Sequence, residues 1–137
     1  MPKPLENKKV TLVLSTSQKV DKQYDTDRME AVGDLYFKED SVHLIYNENN
    51  TKTHIRISGD MVHVHRLGEL SGDLWFVEGD ERDTRYETPY GRMILTIETH
   101  KIEWDAKKMR LFIRYNIKSG DQLLSMNEMT IEMRETV

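Results

Sequence analysis

The chain contains no cysteine among its 137 residues, which removes disulfides, thiolate metal centres and cysteine nucleophiles at once. Proline occurs three times and glycine seven, too few for a collagen-like or low-complexity chain. No stretch approaches the roughly 20 apolar residues that a membrane helix requires. The opening segment Met1 to Lys9 is polar, carries lysine and has no apolar run of the signal-peptide kind. These absences lead us to expect a cytoplasmic protein with no membrane partner. An excess of basic charge is also missing: 24 acids face 20 bases, a net charge of −4. That is not the footprint of a nucleic-acid binder. Gly-x-Ser-x-Gly, Gly-x-Gly-x-x-Gly and phosphate-loop patterns are absent. No pair of carboxylates stands out as an acid/base couple, so no catalytic residue is assigned.

What the sequence does have is alternation. Val10, Leu12 and Leu14 recur at every second position, as do Met29, Ala31, Gly33, Leu35 and Phe37. Val42, Leu44 and Tyr46 follow, then Ile55 and Ile57, Val62 and Val64, Met93, Leu95 and Ile97, Leu111, Ile113 and Tyr115, and Ile131 and Met133. With shorter strands over 72–78 and 82–88, this period of two gives roughly ten half-buried strands. The methionine-rich stretch 123–133 fits a helix or a long final strand. Glu39-Asp40, Asn49-Asn50, Gly59-Asp60, Gly79-Asp80, Pro89-Tyr90 and Gly120-Asp121 supply turn chemistry between strands. Strands so closely connected pair as antiparallel hairpins. Closing such a meander into a barrel removes its exposed edges, and we favour that over an open sheet or a sandwich. The expectation is one all-β domain over 1–137, an antiparallel meander closed into a barrel of about 8–10 strands, with residues 1–8 as a flexible tail.

The two-residue turns fix a register. If Glu39-Asp40 is a turn, Leu35 faces Leu44 and Gly33 faces Tyr46. A strand glycine there leaves room for the ring. If Asn49-Asn50 is the next turn, Leu44 meets Ile55 and Tyr46 meets Thr53. If Gly59-Asp60 is the third, Ile55 meets Val64 and Thr53 meets Arg66. All three keep apolar residues on one face, which a one-residue slip would destroy. The inward row then reads Gly33, Tyr46, Thr53, Arg66. Glu48, Tyr86 and Tyr115 fall at the same end of the sheet. An apolar barrel with a polar, aromatic mouth follows.

Two readings of that mouth remain open. Arg66 paired with Glu48 and capped by tyrosines is a structural plug, since buried charge needs a partner. Alternatively, Tyr46, Glu48, Arg66, Tyr86 and Tyr115 form a ligand site in which Arg66 meets a carboxylate or phosphate. On the outer face, His43, His54, His63 and His65 share parity, with His54 opposite His65. That is a conceivable zinc constellation. Arg56 sits among these histidines, however, and no acid is placed beside them, so neither a metal site nor any cofactor is expected.

Tyr46-Asn47-Glu48, Arg66-Leu67-Gly68, Phe76, Tyr86-Glu87-Thr88-Pro89-Tyr90-Gly91 and Asn127 follow in that order. In this the chain resembles the YwiB-like family of small bacterial proteins of unknown function, from about Val10 to Glu135. The resemblance implies a calycin-like (lipocalin-like) β-barrel. It implies no activity, substrate or catalytic residue. Such barrels often hold small apolar ligands, although the helical lid of intracellular lipid-binding barrels has no counterpart in residues 15–28, which lack a helical apolar stripe. The resulting expectation is a non-catalytic binder of a small apolar or amphipathic anionic ligand. The alternatives are a structural or protein-interaction barrel with a filled interior, or an enzyme. Oligomeric state is left open.

Overall fold

The computed structural model describes residues 7–136. Ten strands follow one another: β1 Lys8–Val20, β2 Gln23–Lys38, β3 Ser41–Glu48, β4 Thr51–Ser58, β5 Met61–Gly68, β6 Ser71–Val77, β7 Glu81–Thr88, β8 Gly91–Asp105, β9 Arg110–Ser119 and β10 Gln122–Glu135. Each pairs antiparallel with its sequence neighbours, and β10 closes onto β1 through a ladder from Val10↔Glu135 to Lys19↔Met126. Every strand thus has a neighbour on both sides, which answers the problem that a meander of this size poses. Residues 15–28 form the outer half of the β1–β2 hairpin, and 123–133 lie in strand β10. Residues 1–6, most of the expected N-terminal tail, lie outside the described residues, while Lys8 already pairs with Leu35.

The registers read from the turns are those observed. Leu35 faces Leu44 and Gly33 faces Tyr46. Leu44 faces Ile55 and Tyr46 faces Thr53. Ile55 faces Val64 and Thr53 faces Arg66. Asn49 and Asn50 both take positive φ, 47° and 60°, the twist that a tight two-residue hairpin needs and that Asn tolerates.

Inward side chains form one core. Val10, Leu12, Leu35, Leu44, Ile55, Val62, Phe76, Ile97, Leu111, Ile113 and Ile131 are buried to 2% exposure or less. Phe37, Trp104 and Met109 pack against it from the end that holds the 39–40 turn and the β8–β9 connection. Trp75 instead faces outward and stacks on His63. Of the walls expected from alternation, Leu12, Leu35, Leu44, Ile55, Val64 and Ile113 are buried, and Leu95 is half-buried.

The ladder is thinnest between β6 and β7, where only Ser71↔Glu87 and Gly72↔Tyr86 pair. Side-chain and turn contacts substitute for the missing bonds. The Thr84 hydroxyl donates to the Asp73 carbonyl. The 78–80 turn reaches both ways: Glu78 N–H donates to the Asp60 carbonyl (3.1 Å), Gly79 N–H to the Thr99 carbonyl (2.9 Å), and Thr99 N–H to the Asp80 carbonyl (3.1 Å). A bulge between Thr99 and Lys101 on β8 shifts the parity there, so that Thr99 and Ile102 are both buried.

Candidate functional site at the barrel mouth

The inward row predicted from sequence continues beyond Arg66. Cross-strand pairing runs Gly33, Tyr46, Thr53, Arg66, Gly72, Tyr86. Each large ring has a glycine beside it. A Cβ on Gly33 would lie 3.2 Å from Tyr46 Cβ, and one on Gly72 would overlap the Tyr86 ring. The half-buried Arg66 therefore sits between two aromatic walls, separated from Tyr46 by Thr53 and from Tyr86 by Gly72. Tyr115 comes from the β9 wall, where it pairs with Thr99 and Asn127. Its ring meets Phe76 of β6 edge-on, with centroids 4.8 Å apart and planes at 67°. Two distant strands thus touch through their aromatics.

Around these rings the interior is polar. Thr51, Thr53, Thr84, Thr99, Ser125 and Asn127 are all buried. Asn127 Nδ2 donates to Ser125 Oγ (3.0 Å) and to the Tyr115 carbonyl (3.4 Å). Among the described residues, two buried hydroxyls, those of Tyr86 and Thr99, have no hydrogen-bond partner. An unsatisfied buried hydroxyl costs about 1–3 kcal/mol, so such groups need a reason to persist. Burial raises the pKa of all three tyrosines, and in each case the positive charge of Arg66 partly opposes the rise. The Tyr86 phenol is pushed up to about 12, with Tyr115 and Tyr46 adding to its increase.

Arg66 also lines a concavity of about 520 Å³ at the mouth, together with Glu48, Thr51, Thr53, Glu69, Leu70 and Tyr90. Tyr46, Tyr86 and Tyr115 stand beside it and are not part of its lining. The structure thus gathers Tyr46, Arg66, Tyr86 and Tyr115 about one charge and places Glu48 on the rim. Glu48 is exposed at the end of β3. Among the described residues Arg66 makes no ion pair with it or with any other carboxylate within 4.0 Å. Shared parity put Glu48 on the right face, but the strand ends before its carboxylate turns inward. Thr53 was placed in the inward row from sequence; Thr51, Thr84, Thr99 and Ser125 were missed, although their inward parity within apolar strands was the available signal.

Exposed apolar side chains are interspersed with charged ones around the rim. Val20, Tyr24, Leu67, Leu70, Tyr90, Met93, Ile94, Leu123, Leu124 and Met126 are exposed, and all lie on the strand ends and turns of this side. Of the exposed large hydrophobics among the described residues, Val32 alone lies elsewhere.

The outer face of β3–β6 carries the histidines. His43 pairs across from Arg56, and His54 from His65, as the register required. Ser41 Oγ lies 2.8 Å from His43 Nε2, and His43 Nδ1 lies 2.9 Å from His54 Nε2. A neutral imidazole has one donor and one acceptor nitrogen, which suits His43, with a partner at each end. Its pKa is lowered from 6.5 by burial first, then by His54, Lys38 and Arg56. The unfolded chain takes up this proton near pH 6.5 while the folded chain resists it. Stability should therefore fall as pH drops below 6.5. Urea midpoints between pH 7.5 and 5.5 should show that fall, and His43→Gln should flatten it. An unchanged slope in the variant would rule out His43 as the source.

Comparison with known proteins agrees with this architecture. Residues 12–131 match the family model described as a domain of unknown function, DUF1934. The chain is 27% identical over 128 residues to the Bacillus subtilis protein described as uncharacterized beta-barrel protein YwiB, covering 89% of this chain and 90% of that one. The crystal structure of the ywiB protein from Bacillus subtilis superposes with a TM-score of 0.85 at 23% identity, covering 98% of this chain and 96% of that one. The likeness in structure is one of fold, while the family match spans nearly every strand from β1 to β10. The chain therefore belongs to the DUF1934 family, of which it is a ten-stranded, calycin-like β-barrel member.

Proposed function

We propose that the barrel binds a small amphipathic molecule through an anionic group, a carboxylate or phosphate, held by Arg66 at the mouth. The observation that carries this reading is an inward arginine that has no carboxylate partner among the described residues, set beside a buried Tyr86 hydroxyl that has no hydrogen-bond partner among them. A plug built for stability would pair both groups, since leaving them unpaired costs free energy. A ligand anion would satisfy the guanidinium by charge-assisted hydrogen bonds, and a phenol held protonated can donate a further one. The concavity of about 520 Å³ falls within the usual size of a small-molecule site. The exposed apolar side chains of the rim suit the ligand's hydrocarbon portion.

The test is calorimetric titration with short- and medium-chain carboxylates and alkyl phosphates, alongside native mass spectrometry of protein purified from its own host. Saturable binding is expected. Arg66→Met should weaken it by roughly 10- to 100-fold, the worth of a hydrogen bond to a charged group. The same variant should keep its stability within about 1 kcal/mol, because no ion pair is broken. Tyr86→Phe should raise stability, by up to about 1–3 kcal/mol, since it removes a buried hydroxyl that has no partner, and should weaken binding. Absence of binding across the panel, with Arg66→Met costing the 3–5 kcal/mol expected of a broken buried pair, would establish the plug instead.

A further inference from the structure

The outer wall holds a second constellation, away from the mouth concavity and independent of the reading above. On β5 the side chains of His63 and His65 share a face, being two residues apart on a strand. Asp73 of β6 pairs directly across from His65. Its Oδ1 lies 2.7 Å from His63 Nε2 and 2.9 Å from His65 Nδ1. The three ligand-type atoms all fall within 4.8 Å of one another. Sequence reasoning argued against a metal here on two grounds: Arg56 among the histidines, and no acid beside them. The second does not hold. Asp73 was missed because its strand follows the Glu69-Leu70 connection, which lacks strong turn chemistry, so the register was not carried onto β6.

We propose that His63 Nε2, His65 Nδ1 and the Asp73 carboxylate bind one divalent transition-metal ion, such as zinc, on the outer face of β5 and β6. Two imidazoles and a carboxylate are borderline N and O donors that suit zinc, and three protein ligands leave a coordination position open to water. The array is nearly assembled: an ion would displace the protons that now join the two imidazoles to Asp73 Oδ1, with a small outward shift of the three side chains. All three residues stand on paired strands, and the His63 ring is stacked on Trp75 at 3.9 Å with planes 9° apart. That contact fixes the ring's orientation as a second layer of contacts does in metal centres. The site is reachable, with the His63 side chain 21% exposed and those of His65 and Asp73 nearly half exposed. Arg56 lies across from His63 on β4 and opposes a cation. The Asp73 charge offsets it, so the affinity should be micromolar rather than nanomolar.

Calorimetric titration of zinc into chelator-treated full-length protein tests the site. One ion per chain is expected. His63→Ala and Asp73→Asn should each weaken binding more than about 10-fold, and His100→Ala should leave it unchanged. Thermal melts would confirm that these outward-facing substitutions leave the barrel folded. Cobalt substitution gives a second readout: visible ligand-field absorption of a low-coordinate ion should appear in the parent and vanish in His63→Ala. No saturable binding, or binding equally tight in His63→Ala and Asp73→Asn, would overturn the assignment.

Discussion

Gly72→Ala should be among the most damaging single-methyl additions to this protein. Gly72 holds φ at +152°, a conformation that side chains rarely adopt. An added Cβ would run into the Tyr86 ring and sit 2.6 Å from the Arg85 carbonyl oxygen. Backbone strain of about 1–3 kcal/mol joined to overpacking of about 1–3 kcal/mol gives an expected loss of roughly 2–6 kcal/mol. The location raises the consequence. Gly72↔Tyr86 is one of only two pairs that join β6 to β7, so displacing Tyr86 opens the weakest seam of the closed barrel. The urea midpoint should fall without a change in slope. Gly72→Ala should cost less in a Tyr86→Ala background than in the parent, because the ring is then absent while the strained φ and the Arg85 contact remain. A Gly72→Ala protein within 1 kcal/mol of the parent would mean that the ring does not lie against this glycine. The packing half of that cost applies to Gly33, where a Cβ would lie 2.7 Å from the Ile45 carbonyl oxygen, so enlarging Gly33 should also cost stability.

Much of this geometry could be read from the sequence, and the boundary of what could be read is physical. Two-residue turns lock register, and alternation then decides which residues face inward. From Glu39-Asp40, Asn49-Asn50 and Gly59-Asp60 the pairings of β2 through β5 followed, including Thr53 opposite Arg66 and His54 opposite His65. Legibility failed where local pattern is silent. Glu69-Leu70 is a poor turn signature, so Gly72 beside Arg66 and Asp73 beside His65 could not be placed. The β8 bulge between Thr99 and Lys101 resets parity without any glycine to announce it. Parity also reports only a face and never a depth. It put Glu48 with Arg66, but could not show that one lies on the rim and the other under it.

That distinction matters for function. Natural barrels that use a charge to fix register bury its counter-charge with it, because an uncompensated buried charge is destabilising. Here the acids stay outside: Glu48 is exposed at the mouth, and Asp73 turns outward to the histidines. Among the described residues, the polar groups gathered inside this mouth are the half-buried Arg66, neutral hydroxyls and the Asn127 amide. Such an interior is complementary to an anion, and it departs from the stable arrangement in the way that binding sites commonly do.

The last expected result concerns what supports this site from below. Phe76 is 1% exposed, and its ring meets Tyr115 edge-on at 4.8 Å. Phe76→Ala should cost about 3–5 kcal/mol, the transfer energy of a buried ring plus the void it leaves, together with an aromatic pair worth about 0.5–1.5 kcal/mol. Phe76→Leu should cost less, because it fills most of that space. Two consequences separate packing from a general loss of fold. A folded Phe76→Ala protein, stabilised if necessary by a lower temperature, should bind a small apolar molecule such as benzene in the new void and regain part of its thermal stability. Its Tyr115 ring, freed on one side, should show faster ring flips by NMR. If the parent protein instead bound benzene as well as the variant did, the space beside Tyr115 would already be open. The tail of the proposed anionic ligand would then be expected to enter the barrel rather than rest on the rim. If the variant lost less than 1 kcal/mol, Phe76 would not be the support that holds Tyr115 toward Arg66.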